Sequence, residues 1–306
     1  MKDVIERESK REVDRVVTAP ERPAVTVTVS KAERAIHEYM SAQIDAMLAG
    51  DVALRRGEDA IHDTRVASRR LRSTLRVFGK LLDGAAIRGI EDELKWYAGL
   101  LGEVRDCQVQ RRRLAEKIDE LPPELVLGPV AARIDATLLG RQLTSRKALA
   151  EAMDSPRYLE LLATLQDWQS RPPFGRWIRQ RELVRRARKA AHKADRRLDT
   201  ALRNQRDESL HRARKASKRA RYAAELHKPV KQRSRAKANI TYYKQVQSVL
   251  GDHNDGVVSA EFLWRIATTA GTAGEQNGFT YGLLYANEQH AADTARHDIA
   301  DIAAHR

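Results

Sequence analysis

The chain has 306 residues, enough for two modest domains or one domain built from two halves; 32% of them are charged and 5% are aromatic. Its 56 Lys and Arg against 42 Asp and Glu leave a net charge of +14, which predicts attraction to polyanions in general. The single cysteine, Cys107, excludes an intramolecular disulfide. The sequence contains neither a secretory signal nor an apolar run long enough to span a bilayer. It therefore predicts a cytosolic protein and excludes a membrane protein.

Four long helices and one short helix are predicted in the first half of the chain. Residues 1–29 carry equal numbers of acids and bases and are predicted to form a disordered or weakly structured tail. Ser30 and Glu33 form a capping-box pattern, which starts a first helix that ends near residue 49. Apolar periodicity then predicts helices over about residues 58–82, 86–120 and 129–153, followed by a short helix from Ser155-Pro156 to the residues before Pro172.

The second half is predicted to repeat this layout 149 residues later. The expected helices lie near residues 177–202, 207–228, 235–269 and 277–304, with a loop at Gly271–Gly274. Residues 171–175, with two prolines and a glycine, form the joint between the halves. The sequence therefore predicts an all-α fold of two four-helix, bundle-like halves, one over residues 30–171 and one over residues 176–306.

The repeat is visible in two pairs of motifs. Residues 62–72, HDTRVASRRLR, share six identities with residues 211–221, HRARKASKRAR. Residues 101–109, LGEVRDCQV, match residues 250–258, LGDHNDGVV, at the same offset. Two windows in register indicate an internal duplication, and the repeated feature is a histidine followed by a row of cations.

Cations spaced three and four residues apart lie on one face of a helix, so each motif predicts a cationic row. The row lies roughly 110° around the helix from the apolar stripe, at the edge of the buried face. Like charges at this spacing cost about 0.2–0.5 kcal/mol per pair, so folding alone does not require them. We therefore favour anion binding over a merely solvated face. The first row contains His62, Arg65, Arg69, Arg72 and Arg76, and the second contains His211, Arg214, Lys218 and Arg221, with Glu225 in place of the fourth base.

The excess positive charge is concentrated in the second half. Residues 176–231 contain 20 Lys and Arg against 6 Asp and Glu, so the rest of the chain has no net charge. The predicted helix over about residues 179–197 carries cations that have no basic counterparts in the first half. Two interpretations stay open for these side chains: they widen the anion site, or they face water.

Two glycines within long helices predict close helix contacts, because glycine costs about 1 kcal/mol relative to alanine in a helix interior. They are Gly102 and Gly251, and each precedes an aspartate by four residues. We expect the aspartates, Asp106 and Asp255, to orient arginines of the neighbouring helix by hydrogen bonding.

Metal binding and catalysis are weakly supported by the sequence. The pair His62-Asp63 suggests a metal or phosphohydrolase site, but Asp63 becomes Arg212 in the repeat. His253 aligns with Val104, so the two halves share no ligand set. No glycine-rich phosphate loop, Ser-His-Asp arrangement or Cys-x-x-Cys pair is present. We expect no catalytic residue, no metal and no cofactor.

The four motifs resemble those of the CHAD family, the conserved-histidine α-helical domain, over about residues 30–306. The resemblance implies two four-helix halves related by a pseudo-twofold axis, and binding of inorganic polyphosphate through a basic central surface. Residues 1–29 are too short for the triphosphate-processing CYTH domain that precedes some members, so no catalysis by a fused domain is expected. The binding residues implied by the resemblance are His62, Arg65, Arg69, Arg72, Arg105, His211, Arg214, Lys218 and Arg221.

The sequence thus favours a non-enzymatic, cytosolic polyphosphate-binding protein, and some members of the resembled family localise to polyphosphate granules. Sequence-nonspecific binding of nucleic acid is the main alternative, because the same basic segment attracts any polyanion. A metal-dependent phosphohydrolase is a third alternative.

Overall fold

The computed structural model describes residues 29–231, 233–272 and 278–304, with the side chains of residues 270–272 excepted. These residues form α-helices and two short 3-10 turns, and no strand occurs among them, which confirms the predicted all-α fold. The helices are α1 Lys31–Arg55, α2 Ile61–Phe78, α3 Ile90–Asp119, α4 Val130–Met153, α5 Pro156–Ser170, α6 Gln180–Asn204, α7 Asp207–His227, α8 Arg233–Thr272 and α9 Phe279–Ala304.

Several predicted helix ends were wrong, and local backbone geometry explains three of them. Helix α1 continues to Arg55, past the predicted end near residue 49, and the chain then turns at Gly57 with φ of 80°. Helix α3 begins at Ile90 because Gly89 before it adopts a left-handed conformation with φ of 79°. Helix α2 ends at Phe78, where a 3-10 turn replaces the predicted last turn.

Two predicted segments lie partly outside the described residues. The tail, residues 1–29, is described only at its last residue. The predicted loop at Gly271–Gly274 was wrong at its start, because α8 continues to Thr272. Its remaining two positions lie outside the described residues.

The helix bounds recur at an offset of 149 residues. Helices Lys31–Arg55 and Gln180–Asn204 are displaced by this offset at both ends. Helices α2 and α7 end at Phe78 and His227, and α4 and α9 begin at Val130 and Phe279. The short helix α5 has no counterpart among the described residues. This spacing is what an internal duplication predicts.

The predicted capping box is confirmed, and it also contacts the segment that precedes α6. The Ser30 hydroxyl accepts from the Glu33 amide at 3.0 Å, and the Glu33 carboxylate accepts from the Ser30 amide at 2.8 Å. The same two side chains bind the backbone of Ile178: Ser30 donates to its carbonyl at 2.9 Å, and Glu33 accepts from its amide at 2.8 Å. The start of α1 thereby holds the segment that enters α6.

The hydrophobic core also crosses the boundary between the halves. Its largest cluster is built mainly on α1 to α5 and includes Leu183 of α6 and Leu226 of α7. A second cluster joins the C-terminal part of α3 and the N-terminal part of α4 to α8 and α9. Helix α2 packs directly against α7, and this contact brings the two cationic rows together.

Gly50 of α1 allows a close approach of α1 to α2, which gives a stability prediction. A Cβ at this position would lie 2.0 Å from the Oγ1 of Thr64, which is buried and donates to the Ala60 carbonyl at 2.7 Å. We expect Gly50→Ala to lower the free energy of unfolding by about 1–3 kcal/mol through overpacking. Gly99→Ala is the control, because it meets nothing within 4 Å and should gain about 0.5–1 kcal/mol. Equal effects of the two substitutions in urea unfolding would contradict the close contact.

Candidate anion-binding site

Four cations of the two rows meet where α2 packs against α7, and we call them the central cluster: Arg65, Arg69, Arg214 and Lys218. The pKa of Lys218 is lowered to about 6, mainly by burial and then by the positive charges of the three arginines, while the charge of Asp255 opposes the shift. These four charged groups act on one another at the contact between α2 and α7. The structure therefore brings four of the nine predicted binding residues together.

The cations of the central cluster are partly desolvated and incompletely neutralised. Burial lowers the pKa of Arg69 and of Arg214, and each of these two also lies near other cluster cations. The Nε atoms of Arg65 and Arg214 are buried without a hydrogen-bond partner. Buried donors without partners cost the folded protein free energy.

The two interior glycines explain how these arginines are positioned. A Cβ at Gly102 would lie 3.3 Å from the Nε of Arg65, and one at Gly251 would lie 3.5 Å from the Nη2 of Arg214. Each guanidinium therefore lies directly on the backbone of the facing helix, at equivalent positions of the two halves. The glycines predicted a close contact between helices, but the atoms that approach Gly102 and Gly251 belong to arginine side chains.

The aspartates that follow these glycines act on the same arginines. Arg65 donates from Nη2 to the Oδ1 of Asp106 at 3.2 Å, as predicted, and the Asp106 side chain is 70% exposed. The charge of Asp255 partly opposes the lowering of the pKa of Arg214 and of Lys218. The Asp106 carboxylate thus positions a guanidinium while it remains open to solvent.

The two motif histidines differ in their surroundings. His211 is half-buried, and its Nδ1 donates to the Oδ1 of Asn254 on α8 at 2.9 Å. Burial and the charge of Lys215 lower the pKa of His211 below its usual value, so the ring is neutral at pH 7. His62 is exposed at the first turn of α2. His211 therefore contacts a facing helix, whereas His62 borders solvent.

At the C-terminal ends of the two rows, different carboxylates lie beside the arginines. Arg72 and Arg76 lie near the same oxygen of Glu91 on α3, at 3.6 Å and 2.5 Å from their Nε atoms. In the repeat, Arg221 lies 3.3 Å from Glu225, which occupies the position of the fourth base. Glu225 also lies 3.6 Å from Arg70 and accepts from the Tyr39 hydroxyl at 3.0 Å. Arg72 and Arg221 therefore each lie beside a carboxylate.

Arg105 makes different contacts from the other predicted residues. Its Nη1 donates to Gln108 at 3.3 Å, and the Gln108 amide donates in turn to Asp59 before α2. Arg105 is not among the main charges that shift the pKa values of Lys218, Arg69 and Arg214. The structure thus does not show it as a member of the central cluster.

Two further cations belong to this surface but were not predicted as binding residues. Burial and the charges of Arg197, Arg76 and Arg72 lower the pKa of Arg219 to about 10. Burial and the charges of Arg219, Arg72 and Arg76 also lower the pKa of Lys215. Arg219 is the repeat equivalent of Arg70, and the helical wheel places both farther around the helix. Predicting these two residues would have required the position of α6, which lies beside them. A helical wheel of a single helix does not give that position.

Within residues 29–231, 233–272 and 278–304 no group of three His, Cys, Asp or Glu side chains is arranged to hold a metal ion. Over the same part of the chain, no helix has the length and apolar character needed to cross a membrane.

Comparisons with known proteins agree with this fold. The chain is 35% identical over 272 residues to two uncharacterized proteins of Mycobacterium tuberculosis, MT2285 of strain CDC 1551 and Rv2226 of strain H37Rv. The alignment covers 86% of this chain and 51% of each relative, so the chain spans about half the length of these curated relatives.

Two solved structures are similar to the chain. The crystal structure of the CHAD domain from the plant Ricinus communis has a TM-score of 0.64 and 25% identity, over 88% of this chain and 92% of that one. PptA from Streptomyces chartreusis has a TM-score of 0.73 and 21% identity, over 88% of this chain and 98% of that one. The family model of the CHAD domain matches residues 38–264. The chain therefore belongs to the CHAD family.

Proposed function

We propose that this protein binds inorganic polyphosphate without catalysing its turnover. The observation that carries the proposal is the central cluster, in which three arginines and a lysine from two packed helices lie together. The Nε atoms of two of these arginines, Arg65 and Arg214, are buried without partners. Guanidinium groups favour phosphate because their donors match two of its oxygens at once. A polymer of phosphates presents such oxygens at every unit, so several cations bind one ligand.

The surroundings of the cluster favour polyphosphate over single-stranded nucleic acid. Binders of single strands usually stack bases on exposed aromatic rings. Tyr222 is 5% exposed, and its ring lies under the guanidinium groups of Arg70 and Arg221, at 5.4 Å and 4.9 Å from the ring centroid. Tyr243 is 3% exposed and donates to Asp195 at 2.7 Å. Both rings are packed within the protein, and this supports a ligand without bases.

The predicted residues contribute unequally in this proposal. Arg65, Arg69, Arg214 and Lys218 bind phosphate directly, and Arg72 extends the site toward Arg76. His62, Arg105, His211 and Arg221 remain proposed as peripheral contacts. The location that fits this ligand is the cytosol, including polyphosphate granules.

A binding series with polyphosphate, RNA and DNA at equal phosphate concentration tests the proposal. We expect polyphosphate to bind most tightly, with a slope of log K against log salt of about −3 or steeper, because each contacted phosphate contributes about −0.7. Displacement of bound polyphosphate by RNA or DNA at equal phosphate concentration would support the nucleic-acid alternative. Release of phosphate from polyphosphate with Mg²⁺ or Mn²⁺ would establish the phosphohydrolase alternative.

A further inference from the structure

A second basic surface lies beside the central cluster, in a groove of about 540 Å³ between α6 and the adjoining parts of α2 and α7. Eight cationic side chains line the groove, and Glu91 is its single acidic lining residue among those described. Four of the eight belong to α6: Arg186, Lys189, Lys193 and Arg197. We call this feature the α6 groove.

The groove is open because the second half has no counterpart of α5 among the described residues. Subtracting 149 from the four α6 positions gives His37, Met40, Ile44 and Leu48 of α1. That face of α1 is covered by α5: Met40 and Ile44 are buried in the same cluster as Leu161 and Leu165 of α5. His37 also hydrogen-bonds the Gln169 carbonyl at the end of α5, at 2.9 Å. On α6 the equivalent face is cationic and borders solvent.

The four α6 cations are spaced three, four and four residues apart, so they form one stripe. Such spacing costs about 0.2–0.5 kcal/mol per like-charged pair. The charge of Arg197 is the main cause of a lowered pKa at Lys193, which shows that the stripe is electrostatically crowded. The Nε of Arg186 is buried without a hydrogen-bond partner. The groove thus has the same features as the central cluster: crowded cations and an unpaired buried donor.

The groove continues from the end of the α2 row. Arg72 and Arg76 follow the cluster residue Arg69 along that row, and their charges lower the pKa of Lys215 and of Arg219, which line the groove. The α2 row from Arg65 to Arg76 spans about 16 Å, and the α6 stripe adds a similar length. A single extended anion can therefore contact both surfaces.

We propose that the α6 groove is a second anion subsite, which holds the part of a long polyphosphate chain that extends beyond the central cluster. This inference rests on the proposed function and deepens it, since it predicts that affinity rises with chain length. A short phosphate oligomer occupies the central cluster alone, whereas a long chain also neutralises the α6 stripe.

The test compares tripolyphosphate with long-chain polyphosphate at 0.15 M salt, where charges more than about 8 Å apart are largely screened. The variant Lys189→Glu/Lys193→Glu should bind the long chain about tenfold more weakly. The slope of its log K against log salt should be less steep by about 1.4, which corresponds to two lost phosphate contacts. Its affinity for tripolyphosphate should stay within about twofold of wild type. The neutral variant Lys189→Gln/Lys193→Gln should show the same pattern with a smaller loss.

The control is Arg181→Glu/Arg188→Glu, which changes the net charge equally on another face of α6, outside the groove lining. An unchanged affinity for the long chain, equal losses for both ligands, or an equal loss in the control would overturn the inference. These outcomes differ from failure of the proposed function, which would appear in the wild type as no preference for polyphosphate over RNA and DNA.

Discussion

Replacement of both Arg65 and Arg214 by glutamate is expected to weaken binding of long-chain polyphosphate by at least about tenfold. The two arginines occupy equivalent positions of the two rows, and each lies against a helical glycine with its Nε buried. Charge reversal at both positions removes two bidentate contacts and places two carboxylates next to the remaining cations of the cluster. The loss is measured as the ratio of dissociation constants at fixed salt.

A matched surface variant separates this local effect from the change in net charge. Lys147→Glu/Arg171→Glu alters the net charge equally at two side chains that are each 81% exposed. We expect less than about a threefold loss for this control, because exposed charges are screened by salt. The milder variant Arg65→Gln/Arg214→Gln keeps the comparison valid if the reversed pair unfolds the protein. Wild-type affinity in a folded double variant would contradict the assignment of the site.

Polyphosphate binding is expected to weaken as the pH rises from 6 to 8, because of Lys218. In the free protein its pKa is about 6, so the amine is mostly neutral at pH 7. A bound polyanion favours the ammonium form, so binding raises this pKa and the protein takes up a proton. Affinity then falls by up to about tenfold per pH unit above pH 6, until the raised pKa of the complex is reached, and it is independent of this group below pH 6.

The charged groups that face Lys218 come from three helices: Arg65 and Arg69 of α2, Arg214 of α7, and Asp255 of α8. Lys218→Arg is the diagnostic variant, because arginine stays protonated throughout this range. It should bind with a flatter pH profile and at least wild-type affinity at pH 8. His211 is present in both proteins, so its titration does not affect the comparison. Identical pH profiles of wild type and variant would refute the role given to Lys218.

Local signals in the sequence were sufficient for much of the fold. The capping box at Ser30 and Glu33 placed the start of α1 correctly, because a helix N-terminus depends on side chains only three residues apart. The prolines and periodic apolar positions placed α4 and α5 to within about two residues. The ends at Gly57 and Gly89 were misplaced because a positive φ at glycine is permitted but not required by its sequence.

The candidate site was predictable where it depends on one helix face and unpredictable where it depends on contacts between helices. Helical spacing identified the rows that contain Arg65 and Arg214, and the glycines indicated a close approach. The sequence did not show that Glu225 would also pair with Arg70, since that requires the contact between α2 and α7. It also did not show that α6 would present its cations to an open groove. The groove is open because α5 covers the equivalent face of α1, whereas no counterpart of α5 among the described residues covers α6.

A crystal structure of the protein with bound polyphosphate tests the central claim most directly. We expect phosphate oxygens within hydrogen-bonding distance of the guanidinium groups of Arg65, Arg69 and Arg214 and of the Nζ of Lys218. An ordered polyphosphate chain that lies elsewhere on the surface, with these four side chains in their present arrangement and free of ligand, would contradict the account.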